Sequence, residues 1–179
     1  PVCGAPVERD EDGAAMRCTG VECPAQLSRN LAHFVSRDAM DIDGLGSAII
    51  DQLIEHKMIA NPADLYQLDY DAFAELPGQG KKSAENLLSG IEASKTRGLA
   101  RLLYALGIRH VGKQTAAAIA DRFETLDALI AAASDAAALT EIPDVGSVIA
   151  ESIGDYFSRP GSVHLCSRLK EAGVDTAVK

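Results

Sequence analysis

The sequence predicts an all-α protein in which four tandem helix, hairpin, helix units follow a small cysteine-based metal knuckle. Three observations predict it. Among 179 residues there are 29 alanines, only 4% aromatics and no Trp, a composition that suits closely packed helices and not a β-sandwich or barrel. A glycine-centred block recurs at Gly46, Gly80, Gly112 and Gly146, at intervals of 34, 32 and 34 residues, and a fixed period is the signature of a repeat architecture. Three of the four cysteines, Cys3, Cys18 and Cys23, crowd into the first 23 residues, which points to a metal site and not to a disulfide framework.

The knuckle comes first in the chain. Structural zinc takes four thiolate or imidazole ligands in a tetrahedron, and two close pairs joined by a short hairpin supply them. Cys18 and Cys23 form one pair. Cys3, followed by the tight-turning Gly4, resembles the second half of the other. A Cys-Pro-x-Cys pair would place the fourth ligand directly before Pro1. The alternatives are completion of the site by His33 or solvent, or three unrelated thiols without metal. A segment of this size buries no core of its own and depends on the metal. Distant Cys166 sits in a helical-looking stretch and reads as a small buried apolar side chain.

The repeats follow. Four residues before each central glycine stands Ile42, Leu76, Ile108 or Ile142. Four after it stands Ile50, Ala84, Ala116 or Ala150, and seven after it Leu53, Leu87, Ile119 or Ile153. The +4 and +7 spacing is helical, so each glycine lies where a hairpin enters a helix. Helices over 27–36, 70–75, 99–106 and 129–139 are expected to lead into the four hairpins. Two residues before the central glycine stand Gly44, Gly78, His110 and Asp144. The last two hairpins therefore leave Gly112 and Gly146 to carry the turn alone.

A hairpin that ends at a helix N-terminus leaves backbone N–H groups unpaired. They add to the positive end of the helix dipole and suit a phosphate. Such a site reads no base sequence. It also needs little net charge, which reconciles nucleic-acid binding with a formal total of −9. Between residues 73 and 123, eight basic side chains face four acidic ones, a local +4 against −13 elsewhere. Between residues 124 and 158 there are seven acids and no Lys or Arg. The second and third hairpins, with Lys81, Lys82, Arg109, His110 and Lys113, are thus the expected phosphate contacts. Gly44, Gly46, Gly78, Gly80, Gly112 and Gly146 frame the bends, and the fourth hairpin, with Asp144, is the weaker contact. No nucleotide-binding glycine loop, nucleophile triad or carboxylate cluster occurs, so no chemistry is expected of this chain alone. No apolar run spans a membrane, and the absence of a targeting segment fits the expectation of a cytoplasmic protein.

The local wording carries a resemblance. Cys23-Pro24-Ala25-Gln26 follows the metal loop. His33-Phe34-Val35-Ser36-Arg37 leads to Ala39-Met40-Asp41-Ile42-Asp43-Gly44-Leu45-Gly46, and later comes Leu106-Gly107-Ile108-Arg109-His110-Val111-Gly112. Over essentially its whole length the chain resembles the C-terminal half of bacterial NAD+-dependent DNA ligases. The resemblance implies a four-cysteine zinc finger over residues 1–28, N-terminally truncated, a helix-hairpin-helix domain over 29–175, and over 176–179 a linker toward a BRCT domain. It implies a sequence-independent grip on nicked duplex DNA from the minor groove, serving replication and repair near the bacterial nucleoid. Zinc would be structural. NAD+ would act only through an adenylation domain that, like the OB-fold domain, lies outside this sequence, so the chain alone should be inactive. The rival expectations are a hairpin module of another repair or recombination protein, and a protein-interaction scaffold.

Overall fold

The computed structural model describes residues 7–9, 16–18 and 24–178. A short antiparallel hairpin pairs β1 (Val7–Arg9) with β2 (Met16–Cys18), Val7 opposite Cys18. The remainder is helical. It comprises α1 (Pro24–Phe34), α2 (Ser47–Glu55), a 3-10 turn (Pro62–Gln67), α3 (Tyr70–Ala74), α4 (Lys81–Ser94) and α5 (Leu99–Ala105). Then follow α6 (Lys113–Phe123), α7 (Leu126–Ala132), α8 (Ala136–Thr140), α9 (Ser147–Ser158) and α10 (Pro160–Glu171). The pairs α1–α2, α3–α4, α5–α6 and α8–α9 each pack around one hairpin, so the fold is all-α beyond the knuckle and holds four helix-hairpin-helix motifs.

Sequence period and core coincide. All twelve matched aliphatic positions are buried, none more than 7% exposed. Removing each such side chain from water contributes roughly 1–3 kcal/mol, so the repeated spacing is the pattern of one continuous core. That core runs from Leu27 to Val174. Leu45, Val111 and Val145, one residue before the central glycine, are buried as well; only the second hairpin has a polar residue there, Gln79.

One expected helix is two. Residues 129–139 are broken after Ala132. Asp135 turns its carboxylate onto the amides of Ala137 and Ala138, at 3.1 and 3.3 Å, and starts α8 as its N-cap. Thr125 caps α7 in the same way through Ala128 N. An Asx cap competes with helix continuation even in an alanine-rich stretch. The break lets the chain turn under α9, where Gly154 comes so close that a Cβ would lie 3.0 Å from the Ala133 carbonyl oxygen.

The motifs join in two tandem pairs by the same device. Gln52, six residues after Gly46, donates to the Pro77 carbonyl of the second hairpin at 3.3 Å. Ser152, six residues after Gly146, donates to the Arg109 carbonyl of the third hairpin at 2.6 Å. Long-range bonds fasten the pairs to each other. His33 Nε2 donates to the Tyr104 carbonyl at 2.7 Å, with the two rings edge to face. Arg168 of α10 reaches Asp64 of the 3-10 turn at 2.6 Å.

The chain end is also fastened. Leu126 N bonds the Thr176 carbonyl and Val178 N the Glu124 carbonyl, each at 2.8 Å. Residues 176 and 178, expected to begin a linker, are docked on the start of α7.

Candidate nucleic-acid interface

Each hairpin begins with a tight bend. In the last three, the amide one residue before the central glycine bonds the carbonyl four residues before it. These are Gln79 to Leu76, Val111 to Ile108 and Val145 to Ile142, at 3.0 to 3.1 Å. The residue between, second of the two central positions, has positive φ in all four hairpins: Gly44 at 89°, Gly78 at 79°, His110 at 67° and Asp144 at 67°. With Pro77 and Pro143 at the preceding position, this is the signature of a type II turn.

The expectation that Gly112 and Gly146 carry the turn alone is therefore corrected. His110 and Asp144 adopt the left-handed conformation themselves. Both belong to the few residue types that tolerate it, at a cost of about 1 kcal/mol.

The central glycines do something else. Gly46, Gly80, Gly112 and Gly146 are the N-caps of α2, α4, α6 and α9, and their φ values are all negative, from −71° to −154°. A side chain would fit that backbone. A Cβ built on any of the four meets nothing within 4 Å, so packing does not demand glycine either. Ser, Asn or Asp would satisfy a helix amide, yet none of the four helices has a side-chain cap bond. The glycine carbonyl starts each helix, accepting from Ile50, Ala84, Ala116 or Ala150 at 2.9 to 3.0 Å. The amides of each glycine and the next three residues have no acceptor among the described residues. They open on solvent: Gly46, Ser47 and Ala48, Lys81, Lys82 and Ser83, Gly112, Lys113 and Gln114, and Gly146, Ser147 and Val148 are all exposed.

The cations divide into two groups. Lys81 and Lys82 are exposed and make no ion pair among the described residues. Lys113 pairs with Asp38 at 2.7 Å, and this hydrogen bond holds the Asp38 carboxyl below its ordinary range. Arg97 and Arg101, by contrast, are spent inside the protein. Arg97 donates to the Met40 and Asp41 carbonyls, both at 3.1 Å, and Arg101 to the Ala39 carbonyl at 2.8 Å and to that of Arg37. Together they fix the bend that leads into the first hairpin. Lys95 pairs with Glu92, and Arg122 with Glu141 and the Phe123 ring. Arg109 and His110 are exposed on the third bend.

Sequence reasoning missed Asp38, Gln52 and Ser152. Each acts across 25 to 75 positions of chain, where no local pattern signals it.

Cys3 and Cys23 lie outside the described residues, and of Cys18 only the backbone is described. Cys18 ends β2 opposite Val7; in sequence Cys3 stands four residues before β1 and Cys23 five after β2. By their chemistry the three thiol donors fit zinc. No group of three such ligands stands among the described residues. His33, held by Tyr104, serves the helical core.

The comparisons follow this anatomy. Residues 36–93 match a SAM-like helix-hairpin-helix tandem and residues 101–165 a helix-hairpin-helix motif family, the division drawn by the Gln52 and Ser152 bonds. The fold and its open bends thus define a tandem helix-hairpin-helix protein. Residues 1–25 match the NAD-dependent DNA ligase C4 zinc finger domain, which implies zinc binding. The chain is 49% identical over 174 residues to a DNA ligase of Desulfitobacterium hafniense. It is 47% identical over 179 residues to a DNA ligase of Caldicellulosiruptor saccharolyticus, and 47% over 177 to one of Symbiobacterium thermophilum. The matches cover 97, 100 and 98% of this chain and 26% of each relative. The chain belongs to the NAD-dependent DNA ligase family and spans about a quarter of the length of these relatives.

Proposed function

We propose that this chain is the DNA-binding part of an NAD+-dependent DNA ligase and grips nicked duplex DNA through its backbone phosphates. The observation that carries the proposal is the open N-cap glycine, repeated four times, with unpaired amides and no internal reason for the missing side chain. Three or four N–H groups and the helix dipole face one spot. A phosphate oxygen placed there accepts charge-assisted bonds. A side chain would hold it away.

The binding residues are Gly44, Gly46, Gly78, Gly80, Lys81, Lys82, Arg109, His110, Gly112, Lys113 and Gly146. The basic second and third hairpins contribute most. Phosphate contacts make the grip independent of base sequence; the minor groove as the side of approach rests on the family resemblance. The protein orients the nick. The joining of a 3′-hydroxyl to a 5′-phosphate, with AMP passed from NAD+, belongs to the adenylation domain of the whole enzyme, and this chain alone is inactive. Zinc, on Cys3, Cys18, Cys23 and a fourth ligand, ties the knuckle together. The metal-binding segment gives way to the hairpin domain near residue 28, within α1, and residues 176 and 178 stay docked on that domain. No helix among the described residues is long and apolar enough to cross a membrane, and the cytoplasm is the natural compartment for a duplex-DNA substrate.

A fluorescence-anisotropy titration with labelled nicked duplex tests the proposal. Affinity should fall steeply as salt rises, because each neutralised phosphate releases counterion. It should vary little with base sequence. A chain that binds no duplex at low salt, or only one base sequence, overturns the proposal.

A further inference from the structure

We infer that Asp38 is an internal competitor of the DNA backbone for Lys113, holding the third hairpin's cation in the free protein and lowering its affinity for an anion. The inference rests on the duplex-binding reading and deepens it.

Lys113 is the first residue of α6, directly after the open N-cap Gly112. It therefore stands beside unpaired amides, where a phosphate would receive both hydrogen bonds and charge. In the free protein its Nζ lies 2.7 Å from an Asp38 carboxylate oxygen. Asp38 is not a chance neighbour on a loose loop. Arg101 donates to the carbonyls of Arg37 and Ala39, the residues on either side of it, and Arg97 to those of Met40 and Asp41. Four guanidinium bonds thus pin the bend from which this carboxylate projects. Lys113 is its hydrogen-bond partner, and Arg37 and Arg101 are further cations near it. A carboxylate so placed cancels positive potential where the interface needs it.

The lock can open. Both side chains are 56% exposed, and the pair rims a hollow of about 300 Å3 that Arg101 and Tyr104 also line. An exposed pair is weak and screened by solvent, within reach of a phosphate that brings the amides of α6 into play. The second hairpin differs. Among the described residues no carboxylate pairs with Lys81 or Lys82, so that hairpin is open while the third is restrained. The pair also joins the bend before the first hairpin to the helix after the third. Binding at Lys113 therefore releases a tie between the two tandem pairs.

The test is anisotropy of the chain with labelled nicked duplex. D38N should bind about two- to fivefold tighter at low salt, the fold-change equivalent to an exposed pair, with the gain fading as salt rises. D38A should behave alike. K113A should weaken binding, and D38N added to K113A should give no gain. Unchanged or weaker binding by D38N and D38A overturns the inference. So does an equal gain in the K113A background, which would mark a general charge effect. Wild-type binding without a gain in D38N removes only the competitor; a wild-type chain that does not bind duplex removes the DNA-binding reading with it.

Discussion

Replacing Gly80 by Asp should move stability and affinity in opposite directions. Gly80 is the N-cap of α4, with φ −154° and no side-chain cap bond, and its Cβ would meet nothing within 4 Å. Asp fits that backbone and can accept from the amides of the first turn. Asp leads the N-cap ranking and Gly trails it by a few tenths of a kcal/mol. For a chain of this size that gain raises Tm by about 1–2 °C. The same carboxylate fills the space proposed for a phosphate. It removes charge-assisted amide bonds of roughly 1.5–3 kcal/mol each. It also sets two negative charges a few ångströms apart, at roughly 1–4 kcal/mol in surface dielectrics. A net loss of about 2 kcal/mol or more is roughly a thirtyfold weaker Kd. The assays are a thermal melt and an anisotropy titration on one preparation. A stable variant with wild-type affinity would refute the reasoning, because the second hairpin would then touch no phosphate. A collapse of Tm along with affinity would refute it differently, by making Gly80 a packing glycine.

Changing Lys81 and Lys82 to Ala should leave the melt unchanged and weaken binding about equally on every duplex sequence, with the salt slope reduced by about one per lysine; a sequence-dependent loss would contradict backbone readout. Arg97→Ala should behave as a core lesion, since it frees the Met40 and Asp41 carbonyls, lowering stability by about 1–3 kcal/mol in a urea melt. Gly154→Ala, whose Cβ would press the Ala133 carbonyl at 3.0 Å, should cost about 1–3 kcal/mol, whereas the same change at Gly112 should cost less than about 1 kcal/mol; a thermal melt of each variant measures the contrast. Burial pushes the Cys166 thiol up to about 12. It therefore carries almost no thiolate at mildly alkaline pH, and alkylation mapped by peptide mass should miss it until the chain is unfolded; ready labelling of the folded chain would contradict its burial.

What could be read from residue order is what repeats at helical spacing. Ile50 and Leu53, with their counterparts in the other three motifs, had to face a core because apolar side chains at +4 and +7 share one helix face. All of them do. The bends were legible at Gly44 and Gly78. His110 and Asp144 were misread, because a left-handed φ in a non-glycine residue is uncommon and Pro143 signals it only at the fourth bend; the turn hydrogen bonds from Val111 and Val145 impose it. The break before α8 left a signal, Ser134-Asp135 ahead of three alanines, which the alanine-rich surroundings masked. The charge count grouped Arg97 and Arg101 with Lys81 and Lys82. Only the fold separates them, because carbonyls of residues 37–41 reach the two arginines from about 60 positions away. The pairing of Asp38 with Lys113 was out of reach for the same reason.

Everything about function turns on whether the amides after the N-cap glycines meet phosphate. Backbone amide NMR of the 15N-labelled chain, titrated with nicked duplex, tests that directly. The largest shifts should fall on Gly80, Lys81, Lys82 and Ser83 and on Gly112, Lys113 and Gln114, and they should reverse as salt is added. Saturating duplex that leaves those amides unmoved, while resonances elsewhere shift, would contradict a phosphate grip built from main-chain groups.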